Sequence, residues 1–134
     1  MIILSNSIAQ TLAPGQSATF DTIVEKTGCA ECFRRNSGTI TVRNKPAVYD
    51  VDFGANIGAT TVDTAQLAIL YDGSPLLETT ALSNTDAVGD LNHIYTATSV
   101  KMNCCDGGGF TIANTGTTTI TIGANPIFKV RRMG

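Results

Sequence analysis

The stretch Ala47-Val48-Tyr49-Asp50-Val51-Asp52-Phe53-Gly54-Ala55-Asn56-Ile57 decides the fold. In an extended chain Ala47, Tyr49, Val51, Phe53, Ala55 and Ile57 share one face. Asp50, Asp52, Gly54 and Asn56 take the other, with Val48 as the exception. Side chains alternate between the two faces of a strand, so this pattern marks a strand with one face against a core. A helix would scatter the same six apolar residues around its circumference.

The same period runs outward in both directions. Upstream, Ala13-Pro14-Gly15-Gln16 is a turn signal, Ala18 to Val24 reads as a strand, and Ile40 and Val42 share one side of Thr39 to Val42. Downstream, Ala65, Leu67, Ile69 and Tyr71 alternate up to Asp72-Gly73, a pair that tolerates the positive φ of a hairpin turn. Leu76 to Ala81 is expected to run back as the partner strand, and Ser83 to Asp90 to form a mobile loop. Ile94 to Met102, Phe110 to Ala113, Thr117 to Ile122 and Ile127 to Arg132 complete the set, separated by Gly- and Asn-containing turns. The pattern gives about eight or nine short strands and predicts an all-β sandwich or jelly roll. Residues 12–134 form the expected jelly-roll domain, and residues 1–11 an N-terminal arm or anchor. The apolar Met1, Ile2, Ile3 and Leu4 are the anchor candidates, with core filling as the simple alternative.

Composition agrees and removes options. The 134 residues hold twenty threonines and 13 glycines, only 15% charged residues and a single histidine. β-Branched residues and turn formers favour strands over helices. With one histidine, a Ser-His-Asp site would have to run through His93, and no histidine-rich metal cluster is possible. Nothing near His93 marks a nucleophile elbow. Asp50 and Asp52 read as a solvated or intersubunit face rather than a glycosidase pair, and Asp86 and Asp90 lack the ligand spacing of a calcium loop. The net charge of −2 gives no case for nucleic acid. No apolar run is long enough to span a membrane. The start is too short and too poor in Lys and Arg for a signal peptide, so synthesis in a cytosol is expected.

Four cysteines are the chemically suggestive set. Cys29 and Cys32 form C-x2-C, and Cys104 and Cys105 are adjacent. They could hold a structural zinc, form a disulfide between the two pairs, or remain free thiols. No other cofactor is expected.

The order of segments resembles the globular head shared by the tumour necrosis factor and complement-subcomponent families. The resemblance rests on Gly38-Thr39-Ile40-Thr41-Val42, on Ala47 to Phe53 (with Ala47 where the family usually has Gly), on Tyr71-Asp72-Gly73-Ser74-Pro75, on Phe110 to Asn114 and on Pro126 to Arg132. It implies a jelly-roll sandwich of about eight to ten antiparallel strands, assembled as a homotrimer around an apolar and aromatic axis. Tyr49, Phe53, Tyr95, Phe110 and Phe128 are the aromatic candidates for that interface, against the reading that most fill the subunit's own core. The segments Thr27 to Cys32 and Cys104-Cys105 also resemble small structural proteins of tailed bacteriophages of gut Firmicutes. That likeness implies a virion protein on the capsid surface, a decoration or head-fibre trimer with the major capsid protein as partner. A trimeric receptor-binding or adhesin head is the alternative; an enzyme, a nucleic-acid binder and a membrane protein are not expected.

Overall fold

The computed structural model describes residues 1–27, 33–42, 47–102 and 108–133. The four cysteines lie outside the described residues. Among the described residues thirteen strands run in chain order: β1 (Ile2–Ser5), β2 (Gln10–Leu12), β3 (Thr22–Lys26), β4 (Phe33–Asn36), β5 (Thr39–Val42), β6 (Ala47–Ala59), β7 (Thr64–Tyr71), β8 (Ser74–Pro75), β9 (Ala81–Asn84), β10 (Asn92–Met102), β11 (Gly108–Asn114), β12 (Ile120–Ile122) and β13 (Ile127–Met133). All the pairings between them are antiparallel.

β6 is the spine of the larger sheet. One of its edges carries β10, in register from Ala47 opposite Met102 to Ile57 opposite Asn92. The other edge carries β13 and β12 end to end, with Val48 opposite Met133 and Ala59 opposite Ile120. β1 pairs with β13, β2 with β12, and β3 closes the rim against β1. The smaller sheet runs β4-β5-β11-β7, and the far edge of β7 carries β8 and β9.

The alternation in β6 is realised in full. Ala47, Tyr49, Val51, Phe53, Ala55, Ile57 and Ala59 all point into the core, each at most 9% exposed. Phe20, Phe53 and Phe128 form a ring cluster with centroids 5.4 to 6.4 Å apart, and Phe33 meets Tyr49 edge-on at 6.3 Å. Such offset and edge-to-face contacts suit the ring quadrupoles.

Buried hydroxyls join the two sheets where β10 approaches β9. β10 stops pairing at Ile57, so the Ala59 amide has no partner there from the ladder; it donates to Thr85 Oγ1 at 2.8 Å. Ser83 Oγ donates to the Ile57 carbonyl, and Thr96 Oγ1 to the Thr79 carbonyl. Every buried backbone polar group needs a partner, and threonine supplies one from a compact side chain.

Two turns impose backbone demands that the sequence meets. Asp72 (φ 50°) and Gly73 (φ 83°) make the β7–β8 turn, as their pairing predicts. At Gly38 a Cβ would sit 1.7 Å from the Ala18 carbonyl oxygen, so only glycine fits there.

Several expectations need correction. Residues 1–11 are not a free arm: β1 is hydrogen-bonded on both edges and β2 continues across residue 12. Ile2 and Leu4 are fully buried, because alternation within β1 turns them into the core. Leu76 to Ala81 is not one strand. After β8 the chain makes a 3-10 turn, Leu77–Thr79, in which the buried Thr79 hydroxyl accepts from the Ile69 amide at 2.9 Å. That hydroxyl does for β7 what a strand backbone would have done. Ser83 to Asp90 is not all loop, since Ala81–Asn84 is strand paired with β7 and both Ser83 and Thr85 are buried. The strand expected over Ala18 to Val24 begins only at Thr22; before it, residues 15–18 bond to β11, as in Ala18 N–H to the Ile112 carbonyl at 2.8 Å.

Candidate functional site

The solvent face of the larger sheet is built by the outward residues of β6, β10 and β13. Register fixes its rows. Lys101, Val48 and Met133 lie side by side; then Ser99, Asp50 and Arg131; then Ala97, Asp52 and Lys129; then Tyr95, Gly54 and Ile127. His93 and Asn56 form the last row.

The two middle rows are neutralised across strands. Ser99 Oγ donates to Asp50 Oδ1 at 2.6 Å, Arg131 Nη2 reaches Asp50 Oδ2 at 3.2 Å, and Lys129 Nζ lies 3.2 Å from Asp52 Oδ2. The Ser99 hydroxyl, and after it the Arg131 guanidinium, hold the Asp50 carboxyl below its usual range. On an exposed face such pairs add little stability, and pairing lowers without abolishing the cost of covering these charges.

Apolar residues flank the charged rows. Tyr95 is 64% exposed, Ile127 52%, Met133 43% and Val48 37%. Because Gly54 has no side chain, a groove of about 290 Å³ opens between Tyr95 and Ile127. Asn56, His93 and Asn125 line one end, Asp52 and Lys129 the other. His93 Nδ1 lies 3.3 Å from Asn56 Oδ1. Partial burial, and then the Asp52 charge, push the Tyr95 phenol upward, so it stays a neutral hydrogen-bond donor.

Further apolar side chains are exposed in the elements beside β10. Leu77 (78% exposed), Leu82 (60%), Val88 (74%) and Leu91 (41%) come from the 3-10 turn, β9 and the β9–β10 connection.

Of the five aromatic interface candidates, Tyr95 alone is on the surface. Tyr49, Phe53, Phe110 and Phe128 are at most 1% exposed within the subunit, so they offer no area to a second copy. Met1, Ile2, Ile3 and Leu4 belong to β1 or lie against it, and the two fully buried among them are core. Cys29, Cys32, Cys104 and Cys105 lie outside the described residues. Among the described residues no group of three or more His, Cys, Asp or Glu is placed to hold a metal, and no helix is long and apolar enough to cross a membrane. Reading the sequence missed Ile127, Met133, Leu77 and Val88. Val48 was legible as the one apolar residue on the polar side of β6.

The two antiparallel sheets form a jelly-roll sandwich of the tumour necrosis factor and C1q fold type. No protein-family model matches the chain, and no curated protein sequence does. Solved structures match in shape. The globular domain of zebrafish complement 1qA protein superposes with a TM-score of 0.65 at 12% identity, covering 99% of this chain and 96% of that one. The Eiger TNF of S. frugiperda gives 0.69 at 12% identity, covering 99% and 91%. The PRD1 vertex protein P5 gives 0.55 at 14% identity, covering 99% and 97%.

Proposed function

We propose that this chain is a phage virion structural protein, a homotrimeric capsid decoration or head-fibre subunit that acts by binding and clamping. One observation carries the trimer: exposed apolar side chains lie on two dissimilar surfaces of a single sandwich, the outer face of the larger sheet and the 3-10 turn with β9. A two-fold dimer needs one self-complementary patch, whereas a closed three-fold ring needs two different patches that fit each other. Tyr95 and Ile127 on the face, set against Leu77 and Leu82 from the 3-10 turn and β9, meet that need. The likeness to a phage vertex protein along nearly the whole of both chains supports the virion setting. The chemistry is burial and symmetry, with three weak contacts to a particle acting together, and no catalytic step is assigned.

Two measurements test this. Light scattering at micromolar concentration gives about three times 14.0 kDa if the trimer is right; a monomer overturns it. Sedimentation with capsids assembled without the protein gives co-sedimentation if it decorates them.

The groove beside Tyr95 supports a second reading, a receptor-binding or adhesin head. An exposed aromatic ring ringed by His93, Asn56 and Asn125 is the platform such a head would need for a carbohydrate or protein ligand. Binding to host cells or glycans without binding to capsids would select it.

A further inference from the structure

We propose that the end of the sandwich at which β6 begins and β13 finishes is a docking surface for an acidic protein surface. The inference rests on the virion reading and names the chemistry of the partner.

The net charge of −2 conceals a segregation that the registers reveal. β6 serves as a ruler. Lys101 lies opposite Val48, Arg132 opposite Tyr49, Arg131 opposite Asp50 and Lys129 opposite Asp52. Lys26 lies opposite Ile2, which pairs with Val130 and through it with Val51. In the smaller sheet, Arg34 and Arg35 lie opposite Thr41 and Ile40, level with the Gly109–Phe110 part of β11 and the Tyr71 end of β7. β7 starts at the end where β6 stops, so Tyr71 is back at the β6 start. All seven described Lys and Arg therefore occupy the half of the molecule where β6 begins.

The opposite end carries acids alone. Asp21 is held by the Ser7 amide and hydroxyl, Asp63 sits between β6 and β7, and Asp86 and Asp90 between β9 and β10. The basic half also holds Glu25, Asp50, Asp52, Asp72 and Glu78, but Asp50 and Asp52 are spent on Arg131 and Lys129. Lys26, Arg34, Arg35, Lys101 and Arg132 are exposed, and none makes a salt bridge to a described residue.

A molecule polarised in this way is steered end-on towards negative potential despite its overall charge. The cations are spread over both sheets rather than run together, and the large exposed apolar residues in this half, Val24, Val48 and Met133 among them, include no aromatic. A membrane-surface segment would instead concentrate its basic residues in one run on a single amphipathic element. A single-strand nucleic-acid surface would present stacking rings. An acidic protein face fits best.

The test is co-sedimentation with capsids assembled without this protein, over about 0.05 to 1 M salt, where screening shortens from over 10 Å to about 3 Å. The paired variant Lys26→Glu, Arg132→Glu is expected to lose affinity by about tenfold or more, with unchanged mass and melting temperature. The far-end pair Asp86→Lys, Asp90→Lys is expected to bind as the unaltered protein does. Capsid binding that ignores salt, or that falls equally in both variants, overturns the docking end and leaves the virion reading standing. Retention on vesicles containing phosphatidylglycerol, lost in the basic-end variant, overturns the protein partner in favour of lipid. Absence of capsid binding by the unaltered protein at every salt concentration overturns both the virion reading and this inference.

Discussion

Single hydroxyls and carboxylates carry unusual weight in this chain. Thr79 is fully buried and its Oγ1 stands 2.9 Å from the Ile69 amide and 2.6 Å from the Leu76 carbonyl. Thr79→Ala strands that amide in the core, and a loss of about 1–3 kcal/mol in denaturant melts is expected. Phe53→Ala opens a cavity in the ring cluster with Phe20 and Phe128, and about 3–5 kcal/mol is expected from the same measurement. Asp21 is held below its usual range by the Ser7 hydroxyl first and then Thr22, and Asp63 by the Thr64 amide first and then Thr118. A carboxyl whose pKa is lower folded than unfolded contributes stability above its unfolded value, about 3.9, and loses it as pH falls through the folded value. The melting temperature is therefore expected to fall below about pH 4, less steeply in Asp21→Asn. An unchanged slope in that variant counts against Asp21 as a source.

Elements differ in how much they depend on their neighbours. β6 would be recognised in isolation, because thirteen residues of alternation leave one register that buries its apolar face. β1 has only four residues, and its place between β3 and β13 comes from long-range pairing. Deleting residues 1–5 removes Ile2 and Leu4 from the core and uncovers an edge of β13, an invitation to aggregate. The truncated chain is expected to be insoluble or unfolded by circular dichroism; a folded, soluble product that merely fails to bind capsids would restore the arm reading. β9 and the 3-10 turn escaped the periodic reading for a related reason. Their backbone is satisfied partly by Thr79, Ser83 and Thr85 side chains, and no local pattern announces which threonine bonds to a distant strand.

At the scale of the molecule, assembly and stability should separate. Tyr95→Glu places a charge on the face, and Leu77→Glu one on the edge, at side chains 64% and 78% exposed. Both are expected to give monomers by light scattering while keeping the melting profile of the isolated fold, since neither residue packs in the core. If either patch can be charged without dissociation, that patch is not part of the ring.

The sequence alone determines the strand class, the hairpin at Asp72-Gly73 and the inward set of β6, because alternation and turn chemistry are local and each is written within a dozen residues. It also marks Val48 as out of place. The tertiary structure decides which aromatic rings are core and which one faces water: Tyr49, Phe53 and Phe128 differ from Tyr95 by the side of the sheet on which the pleat sets them. Phe110 is buried in the opposing sheet in the same way. It alone gathers Tyr95 and Ile127, thirty-two positions apart, around Gly54, and sends the described cations to one end of the sandwich. Those placements depend on which strands pair and in what register, and pairing between distant segments is set by burial over the whole core rather than by any stretch of chain read alone.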